Sequence, residues 1–177
     1  MNAPGLTTLN GWHGDFTKFA KMKLLVIDDE PVNVALLEDM LAEAGFTHVK
    51  SITDSRRAID TCVEFTPDLI LLDLTMPHVD GYSILQSLRS HYGQLFLPVI
   101  VLTADATEQA KRRALSAGAT DFLLKPFDHL EVVLRIANLL EMRRLHLELD
   151  MQRAAFEDAV RERSIELREV HALHAIG

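Results

Sequence analysis

The sequence reads KLLVIDDE from Lys23 to Glu30, where a short apolar run leads into three acids. The run has the length of a strand, and its unbroken hydrophobicity predicts a strand that is buried on both faces. The same pattern returns at LILL, from Leu69 to Leu72, and it ends at Asp73. Strands buried on both faces belong to parallel sheets that carry helices on each side. The two stretches therefore favour an α/β fold.

Strand and helix patterns alternate along the chain around these two stretches. The helical segments have apolar residues at spacings of three and four, and the strands are short apolar runs. The predicted strands are Lys23–Ile27, His48–Ile52, Leu69–Leu72, Pro98–Leu102 and Asp121–Leu124. The predicted helices are Val32–Ala44, Arg56–Phe65, Tyr82–His91, Thr107–Ala117 and a last helix that follows Asp128. Five strand–helix units in succession predict a doubly wound (βα)5 parallel sheet.

Local signals mark where several of these helices begin and end. Gly45 stands where a C-cap would close the first helix. The spacings Asp105-x-x-Glu108 and Asp128-x-x-Glu131 have the form of a capping box. We therefore expect these acids to cap the N-terminal ends of the fourth and fifth helices.

Composition narrows the class of protein. The chain has 177 residues, 48% of them hydrophobic, and a net charge of −8. An acidic chain is a poor general binder of nucleic acid, because neutralising phosphates requires Lys and Arg. No apolar run reaches the ~18–20 residues that cross a bilayer, and Cys62 is the single cysteine, which excludes a disulfide scaffold. We expect a cytoplasmic protein that binds neither nucleic acid nor membrane.

Residues 1–20 precede the first strand and are predicted to be a mostly irregular extension. Trp12, Phe16 and Phe19 are spaced as on a short helical stripe, and we expect them to pack on a core rather than to bind a ligand. The folded domain is predicted to span residues 21–140.

The last predicted helix continues beyond this domain. From Asp128 onward the sequence has no Pro, and no Gly before Gly177. Residues 141–177 carry apolar residues three and four positions apart, with polar residues in part of the seam, which is typical of a coiled coil. The four-residue step from Phe156 to Val160 has the form of a stutter. We expect a helical linker that forms a homodimer; the alternative is an amphipathic helix that folds back on its own domain.

Four strand ends carry side chains with catalytic or binding chemistry. They are Asp28-Asp29-Glu30, Asp73, Thr103-Ala104 and Lys125-Pro126. Ligands of open α/β sheets bind at the carboxyl ends of the strands, so these groups are expected to converge. Crowded carboxylates raise each other's pKa unless a cation is near, and Mg²⁺ binds carboxylate and phosphate oxygens. These side chains together indicate a site that transfers a phosphoryl group to an oxygen nucleophile, and Asp73 is the central candidate for that nucleophile.

The motifs at these strand ends resemble the receiver domain of two-component response regulators. They are Val26-Ile27-Asp28-Asp29-Glu30-Pro31, Asp73-Leu74-Thr75-Met76-Pro77-His78-Val79-Asp80-Gly81, Thr103-Ala104 and Lys125-Pro126-Phe127. The resemblance covers residues 21–140. It implies a flavodoxin-like sheet of order 2-1-3-4-5, Mg²⁺ or Mn²⁺ as cofactor, and a sensor histidine kinase or phosphotransfer protein as partner.

The resemblance also implies roles in phosphoryl transfer. Asp73 would be the phosphoryl acceptor, and Lys125 would contact the phosphoryl group. Asp29 would bind the metal directly and Asp28 mainly through water. Asp73 itself and the backbone carbonyl of Thr75 would complete the set of metal ligands from the protein.

A conformational switch is implied at two further positions. Thr103 would be the switch hydroxyl, and Phe122 the aromatic residue that changes rotamer with it. Many relatives have Tyr at that position. Phe122 lacks the tyrosine hydroxyl, so it cannot support an output that needs a hydrogen bond from that group. The resemblance further implies a cis peptide bond before Pro126.

Two functions fit this set of residues. The first is a signalling switch that catalyses its own phosphorylation and dephosphorylation and is otherwise not an enzyme. The second is an aspartyl-nucleophile phosphatase on a similar sheet, but such enzymes have Asp-x-Asp where this chain has Asp73-Leu74-Thr75. The linker resembles those that precede HD-GYP cyclic-di-GMP phosphodiesterase domains or, in related proteins, GGDEF domains or kinases. We therefore expect the N-terminal part of a longer regulator, with HD-GYP as the suspected output.

Overall fold

The computed structural model describes residues 6–9, 12–93 and 96–174, and the side chains of residues 16–93 and 96–168. The strands are β1 (Leu6–Leu9), β2 (Trp12–Asp15), β3 (Lys23–Ile27), β4 (His48–Ile52), β5 (Leu69–Asp73), β6 (Val99–Thr103) and β7 (Asp121–Leu124). Five of them form a parallel sheet in the order β4-β3-β5-β6-β7, which is 2-1-3-4-5 when counted from β3. The predicted doubly wound, flavodoxin-like sheet is confirmed.

Helices cover both faces of this sheet. They are α1 (Pro31–Glu43), α2 (Ala58–Phe65), α3 (Gly81–Tyr92), α4 (Glu108–Ser116) and α5 (His129–His174). One buried cluster joins a face of the sheet to α1 and α5, and a second joins the other face to α2, α3 and α4. Successive residues of β3 divide between them, with Leu24 and Val26 in the first and Leu25 and Ile27 in the second. Burial on both faces explains the unbroken apolar run.

The predicted capping box at Asp105 is wrong. Helix α4 has Thr107 as its N-cap, and the Thr107 hydroxyl accepts a hydrogen bond from Ala110 N at 3.2 Å. Asp105 instead accepts from Thr107 N at 2.9 Å and so shapes the preceding loop. Asp105 and Thr107 each accept a hydrogen bond from a backbone N–H. Thr107 directly precedes the first turn of α4, so its hydroxyl and not the Asp105 carboxylate caps the helix. The acid predicted to begin α5 is confirmed, because Asp128 Oδ1 accepts from Glu131 N at 2.8 Å.

The N-terminal segment is more ordered than its composition indicates. Strands β1 and β2 pair as an antiparallel hairpin, so the prediction of a mostly irregular extension is wrong. Trp12 lies in β2 and not on a helical stripe, because cross-strand pairing outweighs the three- and four-residue spacing. Phe16 and Phe19 are buried in the core, as expected, and the Phe16 ring stacks on Phe46 at 6.2 Å between centroids. Phe16 and Phe19 thus belong to the buried cluster that includes α1 and Phe46 in the loop after it.

The chain divides into two compact units, Met1–Arg143 and Arg144–Gly177. The predicted boundaries at residues 20 and 140 remain predictions. The predicted long C-terminal helix is confirmed, since α5 is continuous to His174. Every described side chain from residue 148 to residue 168 is exposed. In the described parts of the chain, no helix combines the length and apolarity that crossing a membrane requires.

Gly81 allows α3 to begin against the end of β5. The Gly81 N–H donates to the Leu74 carbonyl oxygen at 3.1 Å. A Cβ at this position would overlap the Asp73 carbonyl oxygen and would lie 2.6 Å from Leu74 Cα. Both obstacles are backbone atoms, so a larger residue would displace the end of β5.

Replacing Gly81→Ala is therefore expected to lower the free energy of unfolding by about 3 kcal/mol, the upper part of the range for overpacking. Gly45→Ala is the matched control, because Gly45 has φ +92° but open space where a Cβ would lie. That variant carries only left-handed strain and should lose about 1–2 kcal/mol. Urea unfolding of both variants measures the difference, and equal losses would contradict the close approach at Gly81.

Candidate functional site

Three carboxylates lie together at the carboxyl ends of β3 and β5. Asp28 and Asp29 directly follow β3, and Asp73 is the last residue of β5. The two strands are neighbours, with Ile27 paired with Leu72, so their C-terminal ends meet at one edge of the sheet. Each of the three acids offers one oxygen, and these oxygens all lie within 4.8 Å of one another. The structure therefore brings together the three acids that the strand ends predict.

Lys125 reaches the same edge from the end of β7. Its Nζ donates to Asp28 Oδ2 at 2.9 Å and lies 3.2 Å from Asp73 Oδ2. The backbone holds the residue in place, since Lys125 N donates to the Thr103 carbonyl oxygen at 2.9 Å. The peptide bond to Pro126 is cis, as predicted. One ammonium group thus bridges two of the three carboxylates.

Asp28 is fully buried and is held by several donors. Besides Lys125, the backbone N–H of Glu30 donates to Asp28 Oδ1 at 2.9 Å, and Asn33 Nδ2 donates to Oδ2 at 3.2 Å. Such charge-assisted hydrogen bonds offset the cost of burying a carboxylate. The motifs do not predict Asn33. Its sequence signal is an amide on the first turn of a helix that begins just after the acid.

Burial sets the protonation behaviour of Asp73. The residue is 3% exposed, and burial raises the pKa of its carboxyl group, with the Asp28 charge adding to the rise. The Thr75 N–H, which donates to Asp73 Oδ1 at 3.2 Å, and the Lys125 charge oppose it. Burial lowers the pKa of Lys125, but the hydrogen bond to Asp28 and the Asp73 charge outweigh burial, so that pKa is raised. The upward shift expected from crowded acids is present at Asp73, with burial as its larger cause.

Ser55 holds the loop that follows Asp73, and the motifs do not predict this role. The Ser55 side chain is buried, and its hydroxyl donates to the Pro77 carbonyl oxygen at 2.7 Å. The same hydroxyl accepts from Val79 N at 3.2 Å. Between these two residues His78 takes a left-handed backbone, with φ +69°. No local pattern marks this serine, because it lies 22 residues from its partner in the sequence.

Thr103 and Phe122 lie on the neighbouring strands β6 and β7. The Thr103 hydroxyl is buried and accepts from Asp105 N at 3.0 Å. The Phe122 ring contacts two cations, with Lys111 Nζ 5.0 Å and Arg135 Cζ 5.8 Å from its centroid. These distances are within the range of cation–π attraction. The phenyl ring is thus held by side chains of α4 and α5.

Comparison with known protein families settles the class. The family model of the response regulator receiver domain matches residues 24–137, a span that includes the three acids and Lys125. The chain belongs to this family. The described fold is therefore that of a receiver domain.

Two similar proteins place this receiver domain among known regulators. The DNA-binding dual master transcriptional regulator RpaA of Synechocystis sp. is 38% identical over 118 residues, which are 67% of this chain and 48% of that protein. A putative two-component system response regulator/GGDEF domain protein has a TM-score of 0.66 and 28% identity, over 71% of this chain and 51% of that one. The chain thus spans about half the length of each.

A third similar protein bears on metal binding. It is the receiver domain of sensor histidine kinase PA1611 from Pseudomonas aeruginosa PAO1, solved with a magnesium ion coordinated in its active site cleft. Its TM-score is 0.61 with 32% identity, over 68% of this chain and 98% of that one. Receiver domains bind Mg²⁺ at an acidic cluster, and this receiver domain has such a cluster in Asp28, Asp29 and Asp73.

The donors of this cluster fit Mg²⁺. The ion prefers oxygen ligands, and three carboxylates supply them. Asp29 Oδ1 is buried and accepts no hydrogen bond from the described residues. A buried carboxylate oxygen without a donor is costly, and coordination to a cation removes that cost. Asp29 therefore has a coordination position that the described residues leave unsatisfied.

The raised pKa of Asp73 predicts how the receiver domain's stability varies with pH. The folded state holds the ionised carboxylate less well than the unfolded chain does, so ionisation of Asp73 destabilises the fold. Replacing Asp73→Asn is therefore expected to raise the free energy of unfolding at neutral pH. The destabilisation by ionised Asp73 disappears as the pH falls through the folded-state pKa and then through the unfolded-state pKa. The extra stability of Asp73→Asn over the parent should therefore vanish below about pH 4.

Asp105→Asn is the matched control, measured by urea unfolding over the same pH range. Hydrogen bonding from Thr107 lowers the pKa of the exposed Asp105 carboxyl group. Its ionised form therefore stabilises the fold at neutral pH, and the stabilisation is lost as the pH falls through the folded-state pKa. The two substitutions should act in opposite directions at neutral pH. An Asp73→Asn variant that is less stable than the parent there would contradict the destabilising effect assigned to the Asp73 charge.

Proposed function

We propose that this receiver domain accepts a phosphoryl group on Asp73 from a sensor histidine kinase or a phosphotransfer protein. The observation that carries the proposal is the position of Lys125 Nζ, 2.9 Å from Asp28 and 3.2 Å from Asp73. A cation held beside a buried carboxylate is suited to neutralise phosphoryl oxygens as they approach. Membership of the receiver family supports the class of phosphoryl donor.

The proposed transfer is a displacement at phosphorus. An oxygen of the ionised Asp73 carboxylate forms a bond to phosphorus, while the bond from phosphorus to the donor's histidine nitrogen breaks. The imidazole leaves with the electron pair of that bond, and the product is an acyl phosphate on Asp73. Lys125 exchanges its contact with the Asp73 carboxylate for one with a phosphoryl oxygen and keeps its hydrogen bond to Asp28.

The metal is proposed to be Mg²⁺ or Mn²⁺. Asp29 would hold it directly and Asp28 mainly through water, with Asp73 and the backbone carbonyl of Thr75 as further ligands. When bound, the ion supplies positive charge that offsets the repulsion between carboxylates and phosphoryl oxygens. Asp29 Oδ1, which is buried and accepts no hydrogen bond from the described residues, supports this assignment.

Thr103 and Phe122 are proposed to form the switch. The Thr103 hydroxyl accepts a hydrogen bond from Asp105 N, and turning toward a phosphoryl group on Asp73 would give up this bond. Phe122 would follow and leave its contacts with Lys111 and Arg135. Phosphorylation thus shifts a balance between two arrangements of β7 and its flanking helices.

The chain is proposed to promote its own phosphorylation and dephosphorylation rather than to turn over a substrate. An aspartyl-nucleophile phosphatase would need a second acid two residues after the nucleophile. Thr75 stands there instead, and its backbone N–H donates to Asp73. Phosphatase activity is therefore the competing outcome of the experiment on the phosphoryl acceptor.

The C-terminal helix is proposed as the output of the switch. Phosphorylation would change its conformation and its association as a homodimer. The parent protein is proposed to be a longer cytoplasmic regulator with an HD-GYP cyclic-di-GMP phosphodiesterase as output. The similar response regulator/GGDEF domain protein, of which this chain covers 51%, supports a receiver joined to a further domain.

Incubation with acetyl phosphate and Mg²⁺ tests the phosphoryl acceptor. We expect the intact mass to rise by one phosphoryl group per chain, and the rise to be absent in Asp73→Asn. Asp29→Asn or chelation of the metal should slow the modification by roughly tenfold or more, since even the loss of an outer-shell partner has this effect on metal sites. Asp60→Asn, an exposed acid on α2, is the matched control and should react like the parent.

Three outcomes would contradict the proposal. The first is modification that persists in Asp73→Asn, and the second is modification that does not depend on the metal. The third is continuous turnover of p-nitrophenyl phosphate by the parent chain that is lost in Asp73→Asn, which would establish the phosphatase instead.

A further inference from the structure

The part of α5 in the second compact unit carries an exposed seam. Its members recur at steps of three and four residues, which place them on one side of a helix. They are Leu145, Leu149, Gln152, Phe156, Val160, Arg163 and Leu167. Leu149 is 62% exposed and Phe156 is 70% exposed, although both are large and apolar. Phe156, Val160 and Leu167 line a shallow groove along the helix.

The spacing assigns heptad positions to this seam. Before the stutter, Leu145 and Gln152 occupy d positions and Leu149 occupies an a position. After it, Val160 and Leu167 occupy a positions, and Phe156 joins the two registers. The positions that flank the seam then follow: g lies one residue before each a, and e lies one residue after each d.

The nearest flanking positions before and after Gln152 carry opposite charges, with an acid at g and a base at e. The g positions hold Glu148 and Glu166, with Ala155 and Ala159 between them, and none of them is a base. The e positions after Leu145 and Gln152 hold His146 and Arg153. Glu148 and Arg153 are both largely exposed, and each forms an ion pair within its own helix, Glu148 with Arg144 and Arg153 with Glu157. These pairs use Glu148 Oε2 and Arg153 Nε, so Glu148 Oε1 and the terminal N–H groups of Arg153 can bind a further partner.

We propose that this segment pairs with the same segment of a second chain as a parallel, in-register coiled coil. In a parallel pair a g position faces the e position five residues further along the partner, so Glu148 meets Arg153 of the second copy, twice by symmetry. In an antiparallel pair the g positions face each other, and glutamates meet glutamates or alanines. The charges therefore select one orientation.

Gln152 selects the register. An amide group is both donor and acceptor, so two copies of Gln152 facing each other satisfy one another within the seam. A shift by one heptad would set each amide against an apolar residue and leave it unsatisfied, which is the means by which a buried polar residue fixes coiled-coil register. Arg163 lowers the stability of the pair, but its long side chain carries the charge out of the seam.

This inference deepens the proposed function, because it names the orientation and register of the association assigned to the helix. It concerns residues 145–167 and does not depend on the chemistry at Asp73. Phosphoryl transfer and helix pairing are measured separately, so either can fail while the other stands.

Cysteine cross-linking of the full chain tests orientation. Leu145→Cys and Leu167→Cys are placed near the two ends of the seam, about 33 Å apart at 1.5 Å per residue. Under mild oxidation each variant should form a disulfide with itself, and a mixture of the two should form no mixed disulfide, because cross-linked Cα atoms must lie within about 7 Å. The unmodified chain gives the background, since its Cys62 is fully buried.

Charge reversal tests the pairing of Glu148 with Arg153. Glu148→Arg and Arg153→Glu should each weaken the dimer roughly tenfold in sedimentation equilibrium, since two exposed pairs become repulsive. The double variant should recover most of the loss. Asp150→Arg and Arg161→Glu make the same charge changes on the outer face of the helix and should leave the dimer constant nearly unchanged.

The alternatives give distinct results. Mixed disulfides between Leu145→Cys and Leu167→Cys would overturn the parallel orientation while leaving association in place. Monomers in every state, with and without beryllofluoride and Mg²⁺, would overturn the pairing itself, whatever the outcome at Asp73. A double charge variant no better than the single variants would overturn the assigned contact.

Discussion

The structure depends on one electrostatic constraint, which is that three carboxylates share one largely buried space at the edge of a parallel sheet. Asp28 and Asp73 are buried, and Asp29 Oδ1 is buried without a hydrogen-bond donor among the described residues. Lys125 contacts two of the three acids. One ammonium against three ionised carboxylates leaves two negative charges, which is the charge that a divalent cation balances. Burial, with the Asp28 charge adding to it, raises the pKa of the Asp73 carboxyl group. Lys125 lies beside the same carboxylate as a cation that favours an incoming phosphoryl group.

The fold creates this crowding through strand order and close packing. Because β3 and β5 are neighbours and run parallel, the acids that end them meet, and β7 brings Lys125 across from the edge of the sheet. Every residue of β5 is buried, so its last residue has little freedom to retreat into solvent. The loop that follows β5 packs closely against the end of that strand. Gly81 allows this approach because it has no side chain, and Ser55 stabilises the loop with two hydrogen bonds. Residues outside the acidic cluster therefore help to fix its geometry.

Most of the sheet and most of the candidate site can be predicted from the sequence, because they rest on local patterns. Unbroken apolar runs mark strands buried on both faces, and the residue after each run marks the functional edge. The roles of Asn33 and Ser55 could not be predicted, because tertiary packing and not local spacing determines which groups they hydrogen-bond. Local patterns also fail to predict the hairpin of β1 and β2, which depends on pairing between two strands. They fail to predict the cap at Thr107 because the loop geometry decides whether Asp105 or Thr107 caps α4.

The most direct measurement is a crystal structure of the chain with Mg²⁺ and beryllofluoride, which imitates a phosphoryl group bound to a carboxylate. We predict beryllium bonded to an oxygen of Asp73, the metal ligated by Asp29, and Lys125 Nζ in contact with a fluorine atom. Beryllofluoride bound to another residue, or a metal ion away from Asp29, would contradict the role assigned to the three carboxylates.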